Sequence, residues 1–375
     1  MKTAATFFVL ALAAAPAWAQ CHKLAEVNGS TPEGQLLQQA GQEEDAAKKL
    51  ALEEQFIAQY PQHEAAAWVY EQLLAGYVKA NQADKALAVA DKLAAMPPEC
   101  VEDAQQTLKA AEMKKDPDLV LKWSGKTAEL AQKVVASPQP SNADDVEEWK
   151  ARVDYAKQVN TYTEYSLYAM ALGTTDPAKQ VALLEALQQR NPKSDYLAKA
   201  TDTLFVAYQK SGANDKAVAL AQQIAAGGNP GEDMLLVLAV DAVKKKDGAK
   251  VHDYCDKLVA VMSAKPKPEG VADADWNNRK NTFIGLAYSM SGEQYLNDGK
   301  LPQADADLRK SLPLVEANPQ VKTEVLFYLG VTNFKMEKVQ DAYTFFKQCA
   351  AASSPFQATA NKNMASIRAQ FHGVK

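Results

Sequence analysis

His252 and Cys255 stand three residues apart, a spacing that puts both on one face of a helix where a single metal ion could take them. No second pair lies in sequence reach, so a packed cysteine beside a solvated histidine is the simpler expectation. Histidine is scarce throughout: His22, His63, His252 and His372 are the full set, which leaves few general bases. No Gly-x-Ser-x-Gly, no His-Glu-x-x-His, no phosphate-cradling glycine loop and no dinucleotide fingerprint occurs. The expectation is therefore no catalysis, no metal and no cofactor. Tyr155, Tyr162, Tyr165 and Tyr168 recur at helical spacing and could form a ligand-stacking strip, although core packing explains such a stripe more simply.

Residues 1–19, MKTAATFFVLALAAAPAWA, carry Lys2, a short apolar run and Ala17-Trp18-Ala19, the pattern of a secretory signal peptide cut before Gln20. That run is too short to favour a membrane span, and nothing later approaches the roughly 18 uninterrupted apolar residues a spanning helix needs. An exported chain, periplasmic or extracellular and bacterial in its leader, is expected. Gln20 is the wrong size beside Cys21 for lipid attachment, so no lipid anchor is expected. Export permits disulfides. Cys21, Cys100, Cys255 and Cys349 are too sparse for a disulfide-built scaffold; Cys21 and Cys100 either pair or remain free thiols. The formal net charge of −5, with both signs interspersed, argues against nucleic acid and against a polybasic membrane patch.

The elements that would position any site are helices. Only 17 Gly and 17 Pro occur in 375 residues, and no run of alternating β-branched residues appears. The stretch NQADKALAVADKLAA at 81–95 is answered by GANDKAVALAQQIAA at 212–226. Sliding residues 45–95 onto 176–226 aligns 18 identities in 51 positions without a gap, among them Asp45/Asp176, Pro61/Pro192, Leu73/Leu204 and Tyr77/Tyr208. Alanine richness cannot align proline, leucine, tyrosine and aspartate at one offset. The chain contains a duplication.

Within it, Leu73, Tyr77, Ala86, Ala90 and Pro98 resemble the tetratricopeptide repeat, a helix–turn–helix unit of about 34 residues. Leu204, Tyr208, Ala217 and Ala221 repeat the pattern, and LFYLGVTNFKMEKVQDAYTFFKQCAAASSP at 326–355 matches it best. The residue expected where paired helices cross recurs at Ala47, Ala86, Val120, Ala178, Ala217, Val251, Ala304 and Ala342. Cys349 falls at a small buried position of the last copy. SPQPSNADDVEEW and SAKPKPEGVADADW are matching linkers, each ending in a tryptophan (Trp149, Trp276) that opens a long helix. The expected order is a leader over 1–19, a triplet of hairpins over 20–136, a Pro-rich linker over 137–148, a second triplet over 149–262, a linker over 263–275, and hairpins with a capping helix over 276–375. The fold implied is all-α, a right-handed α-solenoid of stacked hairpins, because one hairpin cannot bury its apolar stripe alone.

The resemblance also implies where a partner would bind, since the first helix of each hairpin lines the groove in that family. Carried onto this chain, the groove positions are Trp68, Glu71, Ala75, Val78 and Lys79; then Lys199, Asp202, Val206, Gln209 and Lys210; then Glu324, Phe327, Val331, Phe334 and Lys335. The Lys and Asn pairs with which some members clamp a C-terminal carboxylate are missing. A charged and aromatic groove suits an extended peptide or helix of a protein partner, held without catalysis, with Trp68 as its anchor. The rival is an envelope binding protein for a glycan or small polymer, favoured if the face of Tyr162, Tyr165 and Tyr168 is exposed.

Overall fold

The structure, a computed structural model, describes residues 21–24, 27–371 and 374. The expected leader, its cleavage point at Gln20 and His372 lie outside the described residues. Among the described residues the chain is all-α, a succession of helical hairpins, with no strand and no helix long and apolar enough to cross a membrane. It divides into two compact units, residues 1–211 and 212–375, a division that falls inside the second expected triplet and not at either proline-rich linker.

The first unit holds α1 (Pro32–Gln42), α2 (Ala46–Gln59), α3 (Ala66–Lys79), α4 (Ala83–Leu93) and α5 (Val101–Met113). It continues with α6 (Pro117–Val135), α7 (Val146–Gly173), α8 (Pro177–Arg190), α9 (Asp195–Lys199) and α10 (Thr201–Lys210). Nearly every helix packs on the one before it, and α3, α5, α7 and α9 also touch in series. The first helices of successive hairpins therefore form one layer, and α6 and α8 belong to the layer behind. Leu37, Phe56, Trp68, Leu74 and Tyr77 centre one core, while Val101, Leu130, Ala131 and Val159 join α5, α6 and α7.

The second unit holds α11 (Asn214–Ala226), α12 (Glu232–Lys244), α13 (Gly248–Ala264) and α14 (Asp273–Asn297). Then come α15 (Leu301–Ser311), α16 (Pro319–Lys335), α17 (Val339–Ala350) and α18 (Gln357–Gln370). Here α12, α14 and α16 touch in series. The terminal α18 packs on α17 and turns Ala360 and Ile367 inward, as a cap should. Both long helices start one turn earlier than their tryptophans: α7 at Val146 and α14 at Asp273.

One device closes the hairpins. The second residue after the first helix takes a left-handed conformation at Asn81, Lys246, Gly299 and Glu337. The next N–H then reaches back five residues, Gln82 to Tyr77 at 2.8 Å, Asp247 to Ala242 at 3.0 Å, Lys300 to Tyr295 at 2.9 Å and Lys338 to Asn333 at 2.9 Å. This satisfies carbonyls that the helix end would otherwise leave unpaired and reverses the chain within a few residues. The duplication is visible in the same detail. Asp45 and Asp176 cap α2 and α8 by accepting from the second and third N–H groups. Tyr77 donates to Glu54, and Tyr208 donates to Glu185 at 2.9 Å.

Of the residues expected at crossings, Ala86, Val120, Ala217, Val251, Ala304 and Ala342 are buried. Ala47 and Ala178 are exposed, which corrects two of the expected crossings. Their place beside the Asp45 and Asp176 caps puts them in a protruding first turn, and deeper residues make the contact instead. Leu50 presses against Gly76, where a Cβ would come within 2.5 Å of its side chain. Gly330 similarly lies against the Phe346 ring, 2.6 Å from where its Cβ would be.

Ala217→Leu or Ala86→Leu should overpack a crossing and cost about 1–3 kcal/mol in denaturant melts, whereas Lys92→Ala on an exposed position should stay within about 0.5 kcal/mol. Unchanged stability in both leucine variants would contradict the hairpin register.

Candidate functional site

The first-helix layer of residues 1–211 is covered at one end and open at the other. At the covered end, Cys21 is disulfide-bonded to Cys100, with a Cα–Cα distance of 5.9 Å, and this settles the open question of their pairing. The bridge lays residues 21–24 along α3. The His22 N–H donates to Glu71 Oε1 at 2.8 Å, and Leu24 and Val27 pack against the α3 core. Trp68, the expected groove anchor, belongs to that core: only 6% of it is exposed. Glu71 is buried too, whereas Lys79 at the end of the helix is exposed. Glu71 and Asp103 are both pushed above the usual carboxylate range, first by burial and then by a neighbouring negative charge, that of Asp103 on Glu71 and that of Glu102 on Asp103. A side-chain hydrogen bond with Glu71 partly lowers Asp103. Burial holds the His22 imidazole below its usual pKa.

Towards the open end, the layer is polar and then aromatic. Tyr155 donates to Gln105 at 2.8 Å, and both Tyr162 and Ser166 donate to Glu112, so α7 is fixed on α5 by side chains. Tyr162 is half-buried by this bond, but Tyr165 is 46% exposed. Its ring centroid lies 6.3 Å from Tyr162 and 5.7 Å from Tyr196, and Tyr168 lies 5.5 Å from Tyr196. Lys199 stands 5.6 Å over the Tyr196 ring. The strip thus contains a member, Tyr196, that periodicity within α7 could not reveal. Beside it opens a cavity of about 590 Å³ lined by Glu112, Tyr165, Ser166 and Met170 among others.

Of the expected groove residues, Lys199, Asp202, Val206, Gln209 and Lys210 are exposed, Val206 at 38%. They do not share one helix. A break at Ala200, whose N–H is shared between Tyr196 and Leu197, leaves Lys199 at the end of the short α9 and the others on α10.

In residues 212–375 the expected groove positions lie on α16. Phe334 is 40% exposed and meets Phe371 edge-on at 6.4 Å, with Lys335 exposed beside it. Phe327 is a correction, because it stacks at 4.9 Å on Phe356, the residue that leads into α18, and is half-buried there. Glu324 is half-buried, and its pKa is raised by burial and by Glu293. The His252 and Cys255 pair divides its roles. Cys255 packs in the core with its thiol pushed up to about 12 by burial. His252 is not solvated as expected: its ring stacks on Tyr295 at 4.0 Å, and Nδ1 lies 3.0 Å from Ser291 Oγ. Cys349 is buried, as its position implied.

No protein-family model and no curated protein matches the chain. Among solved structures it is similar to the TPR domain of P58(IPK), with 10% identity over 90% of this chain and 98% of that one and a TM-score of 0.28. It is also similar to a chain of the APC/C hetero-tetramer Cut9–Hcn1, with 12% identity over 91% of this chain and 84% of that one and a TM-score of 0.23.

Trp68→Ala should empty a core site and cost about 3–5 kcal/mol, lowering the melting temperature of the protein clearly. Tyr165→Ala, on the open strip, should cost less than about 1 kcal/mol. Thermal melts in which the two effects are equal would contradict this division of the layer.

Proposed function

We propose that the chain is a non-enzymatic, exported scaffold that holds an extended peptide or helix of a protein partner against the first-helix face of residues 1–211, within a cell-envelope assembly. The carrying observation is the open strip of Tyr165, Tyr196 and Tyr168 with Lys199 at its edge and Asp202, Val206 and Lys210 on the adjoining α10. Tyrosine offers large contact area with little conformational entropy to lose, and it binds apolar and polar groups alike. Lys199 and Lys210 would steer an acidic segment and affect association rate and salt dependence more than final affinity. Phe334 and Lys335 supply the same chemistry on α16. Export is supported by the leader pattern and by the Cys21–Cys100 disulfide, which suits an oxidising compartment. The absence of catalytic motifs and the half-structural use of the tyrosines fit holding better than turnover.

A second reading keeps the same strip but gives it a glycan or small polymer. The observation favouring it is the exposure of Tyr165 beside an open cavity, because flat rings at a cavity edge can stack on sugars.

A photo-crosslinking residue at Val206 in the native host should capture one protein, and the same residue at Val135 on α6 should not. Replacing Tyr165 and Tyr196 by alanine should lower the Val206 adduct by about tenfold or more, the loss of two aromatic contacts. Equal capture at both positions would refute the protein reading, and capture of polysaccharide alone would install the second.

A further inference from the structure

His22 is 9% exposed, and its Nε2 has no hydrogen-bond partner. Buried imidazole nitrogens are ordinarily satisfied, so this one needs an account. It points towards Glu71, whose Oε1 lies 3.9 Å away, and the Asp103 carboxylate completes the group. Their ligand atoms all lie within 4.8 Å of one another. The three donors come from separate parts of the chain: the N-terminal segment, α3 and α5. Their positions are fixed independently of any ligand, by the His22 N–H bond to Glu71, by the disulfide from Cys21 to Cys100, and by the packing of α3 on α5. No lysine or arginine among the described residues neutralises the Glu71 and Asp103 pair; Arg152 acts on the neighbouring Glu102 instead.

We propose that His22 Nε2, Glu71 and Asp103 bind one divalent cation of the zinc type. A mixed nitrogen and carboxylate set is a zinc donor set, and three protein ligands leave a fourth position for water. Calcium and magnesium favour oxygen alone, so the imidazole selects against them. Bonds of about 2.0–2.2 Å bring tetrahedral ligand atoms to about 3.4 Å from one another, a contraction that rotation of the two carboxylate side chains supplies. Cys21 Sγ belongs to the same cluster, but its bond to Cys100 leaves it no thiolate to donate. The disulfide acts as the strut that brings His22 into place. Bound there, the cation would tie the N-terminal segment to α3 and α5 and close the covered end of the layer.

The test uses the full chain, disulfide intact, stripped with chelator and titrated calorimetrically with zinc chloride near neutral pH. One equivalent should bind with a Kd of about 10 µM or tighter. His22→Ala and the nearly isosteric Asp103→Asn should each weaken it by about tenfold or more, and millimolar magnesium or calcium should not compete. Cobalt should give the visible absorption of a four-coordinate site in the parent chain and lose it in His22→Ala. Zinc should also raise the melting temperature of the parent and not of His22→Ala. No stoichiometric zinc binding, or binding equal in the parent and both variants, would overturn the proposal. The Asp103→Asn result separates loss of a ligand from loss of the fold, since far-ultraviolet circular dichroism must stay that of the parent.

Discussion

A helical hairpin with one apolar stripe cannot bury that stripe by itself, and this constraint governs everything else in the molecule. The stripe of α4 is covered only because α3 and α5 lie against it, and the stripe of α13 only because α12 and α14 do. Such contact is close where the crossing residue is small. Ala86, Ala304 and Ala342 are buried to the backbone for this reason, and Gly330 admits the Phe346 ring where any side chain would collide. Hairpins so stacked place first helices in one layer, and a layer of first helices is a surface that can hold a partner. Function at such a surface belongs to the residues left over after packing. On the function proposed above, the strip at Tyr165 would therefore carry the contact and the buried tryptophan at residue 68 would not.

The same constraint explains how the two ends of the layer in residues 1–211 differ. A row of hairpins exposes apolar surface wherever stacking stops. At the α3 end the chain covers its own face with the segment at Cys21–Leu24, held by a disulfide, a backbone hydrogen bond and the Leu24 side chain, with Val27 packed beside it. Around α7 and α9 no such segment intervenes among the described residues, and the tyrosines bonded to Glu112 and Gln105 are succeeded by Tyr165, Tyr168 and Tyr196, whose rings meet one another, Tyr162 and Lys199. Polar bonds fix α7 in place while leaving the next turn of the same helix available.

Local repetition made much of the fold legible. The offset of 131 residues that aligns Asp45 with Asp176 and Tyr77 with Tyr208 recovers real caps and a real repeated hydrogen bond, because each depends on residues a turn or a hairpin apart. Features depending on distant residues were not legible. Trp68 reads as a groove position, yet it lies in the core against which Leu24 packs, and His22 beside that segment is 49 residues from its partner Glu71. Tyr196 joins the strip from a separate helix, and the break at Ala200 has no proline or glycine to announce it. Ala47 and Ala178 failed as crossing markers because a capped first turn and a crossing look alike when small residues are counted along a line. Lys199, Asp202 and Lys210 are exposed, a property that helical phase alone decides.

The central claim is that the open first-helix face of residues 1–211 takes the partner. Hydroxyl-radical footprinting of the chain, alone and in its native complex, reads side-chain access at single residues. The account predicts that Tyr165 and Val206 become protected in the complex while Val135, equally exposed on α6, keeps its reactivity. Protection of Val135 with Tyr165 unchanged would contradict it.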